Sequence, residues 1–324
     1  MIAPRLRRPC LRLWVAAALT DTLRAPMILL TGATGLVGSA LLPRLTAGGE
    51  PVRCLVRDPR RLGPERVRVQ IALGDLTDPP SFRNALRGVT TVVHLAAAVR
   101  DQAEGSIEEL NAIATWRMAE AAERARVERF IFFSALGATA HDRTRFLRAK
   151  ALAEDAVANA EALRTTIIAP SLIYGPGSPW LRTVERASLF PVVPICGRGR
   201  SVFQPIWAED VADCVVAALD RGQAEQTERI ELAGPQTLNV GELVHLALRA
   251  AGRDRPVLPV PVRLVRAGLR SAQALLGERL PVTWDEAELL EVSRTADRGT
   301  RDAEALGITP RHMAEVLGVP ADPV

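Results

Sequence analysis

The sequence predicts an α/β protein built on a doubly wound, Rossmann-type parallel sheet, with a smaller C-terminal region acting as a lid. Three observations carry that reading. Short apolar runs alternate with helix-period segments through the first two thirds of the 324 residues, as repeated βαβ units with right-handed crossovers require. The glycine-spaced stretch TGATGLVG, residues 31–38, stands where the first apolar run meets the first helical one. After Pro170 the alternation gives way to segments rich in proline and glycine.

Taken in order, MILL (27–30) reads as the first strand. A helix follows near 36–47, with Leu36, Val37, Ala40, Leu41 and Leu45 on one face. VRCLV (52–56), VRVQIALG (67–74), TTVVHLAA (90–97), RFIFFSAL (129–136) and TTIIAP (165–170) read as buried strands. Helical patterns fill the gaps near 80–87, 107–126 and 146–163. SLIYGPGSPW and FPVVPICGRGR read as loops, AEDVADCVVAALD (208–220) as a helix and RIELAG (229–234) as a further strand. From about 236 come helical segments and the Pro-broken RPVLPVPVR. The helix near 263–276, apolar on a broad face, is expected to pack against the core or the lid. The expected organisation is an N-terminal extension outside the fold (1–26), a Rossmann domain (27–235) whose loops 171–204 join the lid, and a C-terminal substrate or lid region (236–324).

Composition narrows the function classes. A 48% hydrophobic and 24% charged chain is globular rather than disordered. The formal charge of +4 is carried by Arg5, Arg7, Arg8, Arg12 and Arg24 against Asp21, so residues from 27 onward are neutral and offer no electrostatic case for nucleic acid. The longest apolar runs fall short of the roughly 18–20 residues that span a bilayer. Cys10, Cys54, Cys196 and Cys214 lack paired spacing, which suits neither a zinc site nor a disulfide scaffold; no metal is expected, and a reducing cytoplasm is the expected setting.

The glycine stretch carries the chemistry. Gly32 permits a tight turn, Gly35 lets the backbone approach a pyrophosphate, and Gly38 lets helix and strand pack closely, leaving the helix N-terminus as an anion site. Thr34, Leu36 and Val37 belong to the same expected cofactor contact. The second strand ends on Val56 and then Arg57, where an acid would bind the ribose of NAD. A guanidinium pairs bidentately with a 2′-phosphate, so NADP(H) is expected in preference to NAD(H). Asp58, one position later, could still serve the ribose. Asp75 in GDL (74–76) could meet the adenine amine or cap a turn; Leu76 beside it and Ala96 after the fourth strand complete the expected contacts.

With TGATGLVG, GDL, VVHLAA, IYGPG and QPIWAEDVA together, the chain from Met27 to about residue 318 resembles the short-chain dehydrogenase/reductase superfamily. The likeness is to its extended and atypical branches, including NAD-dependent epimerase/dehydratases, the nucleotide-binding accessory subunit of respiratory complex I and NmrA-like proteins. That resemblance implies an active site of serine, tyrosine and a lysine four residues after the tyrosine. The serine falls on Ser134 and the lysine on Lys150, the single lysine of the chain, but the tyrosine position holds Phe146. In such a site a nearby cation makes a phenol usable near neutrality, and the lysine also holds the nicotinamide ribose. With Phe146 there is no phenol to tune, so Lys150 reads first as a cofactor ligand. Tyr174, the only tyrosine, His141 and Ser134 are candidate substitute acids. His94 reads as a packed or cofactor-adjacent residue and Asp210 as a helix-orienting one. Two functions follow: an NAD(P)(H)-dependent oxidoreductase or epimerase-like enzyme acting on a small molecule of unidentified class, or a cofactor-binding sensor or scaffold, possible as part of a larger assembly.

Overall fold

The computed structural model describes residues 26–221, 227–277 and 280–319; the expected N-terminal extension lies almost wholly outside them. Seven strands form one parallel sheet: β1 (Ile28–Thr31), β2 (Val52–Val56), β3 (Gln70–Leu73), β4 (Thr91–His94), β5 (Arg129–Phe133), β6 (Arg164–Pro170) and β7 (Glu228–Leu232), in spatial order 3-2-1-4-5-6-7. The inner strands are continuous β-branched and aromatic runs because both faces are covered; Leu29, Leu30, Val92, Val93, Phe130 and Ile131 are all fully buried.

On one face the helix α1 (Leu36–Ala47) and the helix Ala208–Asp220 pack with Leu30, Val93 and Ile131. The Arg44 Nε donates to Asp213 at 2.6 Å and ties those two helices together. On the other face α2 (Ala114–Arg124) and α3 (Arg145–Ala158) cover Leu29, Val92, Phe130 and Phe132. A π-type stretch, Glu109–Ile113, leads into α2. It turns Asn111 inward to bond Ala98 and Ile107, which fixes the loop after β4.

Several expectations need correction. The strand expected over 67–74 is only Gln70–Leu73, because Pro59–Val67 winds as 3₁₀ turns, and it is an exposed edge rather than a buried strand. The Pro- and Gly-rich segments expected as loops contain the helix Pro179–Ala187 and the strand Val193–Cys196. That strand pairs in parallel with Val257–Val260, and Val202–Phe203 pairs antiparallel with Leu238–Asn239. A separate apolar core forms around them from Val184, Ile195, Phe203, Val244 and Met313. The helix expected near 263–276 runs over Val262–Leu276 but has no buried residue, with Leu264 and Leu275 exposed. Among the described residues no helix is long and apolar enough to cross a membrane.

Candidate functional site

Strand order reverses between β1 and β4, and in open parallel sheets the crevice beyond the carboxyl ends at such a point is where ligands bind. A cavity of about 360 Å³ opens there. It is lined by residues that directly follow four strands: Gly32 after β1, Leu95 after β4, Ser134 after β5 and Ser171 after β6.

The glycine loop forms its floor. Gly32 has φ +73°, and a Cβ there would lie 2.6 Å from the Ala96 nitrogen. At Gly38 a Cβ would lie 2.2 Å from the Gly32 carbonyl oxygen and 2.7 Å from the Ala33 Cα, so helix and strand meet without room for a side chain. Gly35 caps α1 with no side-chain bond, so the 12-residue helix starts at the cavity lining without a side-chain cap on its first-turn N–H groups. Gly35, Leu36, Val37 and Gly38 line the cavity; Thr34 and Ala96 flank the lining, Ala96 N donating to Thr31 Oγ1.

Lys150 is 1% exposed and lines the same cavity. α3 begins with Thr144, which caps Leu147 N, and its inward face carries Leu147, Lys150, Ala151 and Ala153 to the sheet. The ammonium donates to the Phe133 carbonyl at 2.6 Å and sits 4.9 Å from the Phe132 ring centroid. Burial pushes its pKa from the ordinary lysine value down to about 7, with Glu154 opposing. Ser134, next to Phe133, is buried, and its Oγ has no partner among the described residues. Phe146 is half-buried, packs on Ile107, Ala112 and Ala149, and lines the cavity one turn before Lys150.

Other candidates lie elsewhere. Tyr174 is fully buried in the separate core with Val184 and Phe203, its hydroxyl unpartnered and outside the cavity lining. Burial and Asp210 push its phenol above the usual range, and it lies outside the cavity that Ser134 and Lys150 line. His141 is exposed and also outside the lining. His94 is fully buried between Thr31 Oγ1 (2.9 Å) and Thr115 Oγ1 (3.1 Å), and burial together with the Lys150 charge lowers its pKa to about 3. That imidazole stays neutral and bridges β1 to α2.

Arg57 stands exposed and pairs with Glu104 at 2.9 Å. Asp58 accepts from Arg60 N as the cap of the 3₁₀ segment. Asp75 accepts from both the N–H and the hydroxyl of Thr77, each at 2.8 Å, which closes a turn; Leu76 packs on the core beneath. Asp210 does more than orient its helix: it is buried and bonded to Arg311 far along the chain. Sequence reasoning missed Ser171, Phe203 and Arg294, which line the cavity, and Asn111, which fixes the loop after β4.

A dinucleotide fits this site: the loop has room only for backbone, a helix N-terminus is open, and a buried cation and a partnerless hydroxyl stand beyond it. The fold and site therefore define a dinucleotide-binding Rossmann protein with a pocket at the strand ends. The chain belongs to the NAD dependent epimerase/dehydratase family, whose pattern matches residues 28–241. It is 30% identical to the mitochondrial NADH dehydrogenase [ubiquinone] 1 alpha subcomplex subunit 9 of Arabidopsis thaliana over 66% of this chain, spanning only 55% of that relative's length. Identity to the (4-alkanoyl-5-oxo-2,5-dihydrofuran-3-yl)methyl phosphate reductase of Streptomyces griseus is 27%, over 92% of this chain and 95% of that one. Among solved structures, the dTDP-glucose 4,6-dehydratase DesIV from Streptomyces venezuelae superposes with a TM-score of 0.70 at 21% identity, covering 90% of this chain and 94% of that one. That likeness is one of fold. Among the described residues no group of His, Cys, Asp and Glu side chains is placed to hold a metal ion.

Proposed function

We propose that the protein is an NAD(P)(H)-dependent oxidoreductase acting on a small carbonyl or alcohol compound in the cavity at the strand ends. The observation that carries this is the placement of a buried ammonium, Lys150, and a partnerless buried hydroxyl, Ser134, in one cavity with the glycine loop. When bound, the nicotinamide cofactor supplies or accepts the hydride. The α1 N-terminus and the glycine loop hold its pyrophosphate, and Lys150 donates to its ribose. Ser134 Oγ–H donates to the substrate oxygen and polarises it. In place of a phenol at 146, two groups can supply a proton, the Ser134 hydroxyl and the Lys150 ammonium, whose pKa burial lowers to about 7.

NADP(H) is the proposed cofactor in preference to NAD(H), supported by the Arg57 guanidinium just past β2. Segments 171–204 and 236–324 are proposed to form the lid that selects substrate, and unpaired, widely spaced cysteines support a reducing, cytoplasmic setting. NADPH and NADH consumption against quinones, aldehydes and nucleotide sugars tests the reading; turnover with one class supports it.

A second reading has its own observation. Phe146 removes the usual phenol, and a relative is a respiratory-complex subunit, which supports a cofactor-binding scaffold or sensor. Tight cofactor binding with no turnover on any of the three classes would favour it.

A further inference from the structure

Beyond the cofactor loop, the cavity walls are apolar: Leu136, Leu172, Phe203, Leu289 and Leu290. Set in that lining are three polar groups with atoms that no described residue satisfies: Ser134 Oγ, Ser171 Oγ and Arg294 Nε. Arg294 is the unusual one. Its backbone N–H donates to Val202 O at 2.8 Å, and Nη2 donates to Leu289 O at 2.6 Å. A Cβ on Gly137 would lie 3.5 Å from its Cγ and Cδ, so its stem rests on the turn three residues after Ser134. The guanidinium lies 5.8 Å from the Phe203 ring centroid.

No carboxylate neutralises it among the described residues. Asp142 acts on it only through space, its Oδ1 being taken by the Thr144 N–H and hydroxyl, and neighbouring Arg143 opposes that attraction. Burial lowers the guanidinium pKa to about 10. A desolvated charge with an unmet donor is costly in an apolar wall. Three residues that line one cavity and each carry an unmet buried group are what a polar ligand would satisfy.

We propose that Arg294 anchors the substrate by pairing with an oxyanion group, a carboxylate or a phosphate, on the compound whose carbonyl faces Ser134, with Ser171 as a neutral donor beside it. The inference rests on the oxidoreductase reading and names its substrate class: an anionic carbonyl compound with an otherwise apolar body. Because the Arg294 stem lies on the Ser134 turn, the anionic group belongs within a few bonds of the reacting carbon.

The test uses the full chain saturated with NADPH and measures binding of 2-oxooctanoate, octyl phosphate and 2-octanone by calorimetry. The expected result is that an anionic probe binds about 10- to 100-fold more tightly than 2-octanone, the worth of a charged hydrogen bond. Whichever anion binds more tightly identifies carboxylate or phosphate as the group read. Arg294→Gln should abolish the preference, Arg294→Lys should restore part of it, and both should keep wild-type NADPH affinity. Equal binding of all three probes by the wild type overturns the proposal, whether or not a variant folds. A loss of NADPH affinity in both variants overturns it too, since the anion read would then be the cofactor's own. Failure of the wild type to bind NADPH at all would instead sink the oxidoreductase reading. Consumption of NADPH with neutral carbonyls, without any anionic preference, would remove Arg294's role alone.

Discussion

Burying Lys150 costs the folded protein stability, and the proposed cofactor contact would offset that cost. Its pKa falls from the ordinary 10.5 to about 7 because folding buries it. Between those values the unfolded chain holds a proton that the folded chain has released, so stability rises with pH across that window and the full cost stands below about pH 7. Lys150→Met should therefore stabilise the cofactor-free protein at pH 6–7 by up to about 5 kcal/mol, a gain that shrinks towards pH 10. Chemical denaturation across that range checks the slope; a difference between variant and wild type that does not change with pH contradicts it. The same variant should bind NADPH more weakly by about 1.5–3 kcal/mol, the loss of a charged hydrogen bond. Phe146→Tyr puts a hydroxyl on the cavity side of α3 one turn before that cation, and carbonyl reduction should appear or increase. Phe146→Ala should cost less than the roughly 3–5 kcal/mol of a fully buried phenylalanine, since the ring is only half-buried.

At the scale of the element, the proposed cofactor binding and cofactor choice rest on the glycine loop and the end of β2. Gly38→Ala places a methyl 2.2 Å from a carbonyl oxygen held by the same turn, so α1 must move off β1. Cofactor binding should be lost before the fold is, and a titration beside a melting curve separates the two. Arg57 already has a partner in Glu104, which a 2′-phosphate must displace. Glu104→Gln should tighten NADPH binding severalfold and leave NADH unchanged, while Arg57→Ala should cost about tenfold for NADPH alone; equal affinity of the wild type for both cofactors removes Arg57 from the choice. The elements that sequence made legible are those whose local pattern and tertiary role agree. β1, β4, β5 and α1 are buried on both sides or on one stripe, so apolar runs and glycine spacing locate them closely. β3 was misread because an edge strand needs few apolar residues and its flank, PRRLGPERV, winds instead. Ser134 and Lys150 were legible from position, and Ser171, directly after β6, follows the same strand-end rule; Arg294 was not legible, because long-range packing alone brings it to the cavity. Tyr174 illustrates the converse: a candidate acid in a segment expected as a loop, it lies in the two-residue strand Ile173–Tyr174 and its ring is buried in the separate core.

Across the whole molecule, an ion pair with a buried carboxylate ties the sheet's helical layer to the chain's far end. Asp210 is 1% exposed and accepts from Arg311 Nε at 2.9 Å, Arg311 Nη2 at 2.6 Å and the Arg311 backbone at 2.8 Å. The guanidinium stacks on Trp207 with 3.7 Å to the ring centroid. Two residues on, Met313 enters the separate core, whose N–H donates to Gln236 Oε1. The pair thus joins the helix that packs on α1 to the region that supplies Leu289, Leu290 and Arg294 to the cavity. Removing the cation leaves a carboxylate buried with only a backbone donor, so Arg311→Ala should cost about 3 kcal/mol, the lower end for a broken buried pair because Arg311 is partly exposed. For a chain of this size that corresponds to a melting point lower by roughly 6–12 °C. Replacing both partners, Asp210→Leu with Arg311→Met, removes the stranded charge and should recover most of the loss. If the pair also positions the cavity's far wall, Arg311→Ala should raise the KM for substrate more than it weakens cofactor binding, because the glycine loop and Lys150 are held by β1 and α3 without it. Equal losses in both would mean that the pair stabilises the fold as a unit and does not position the substrate side separately.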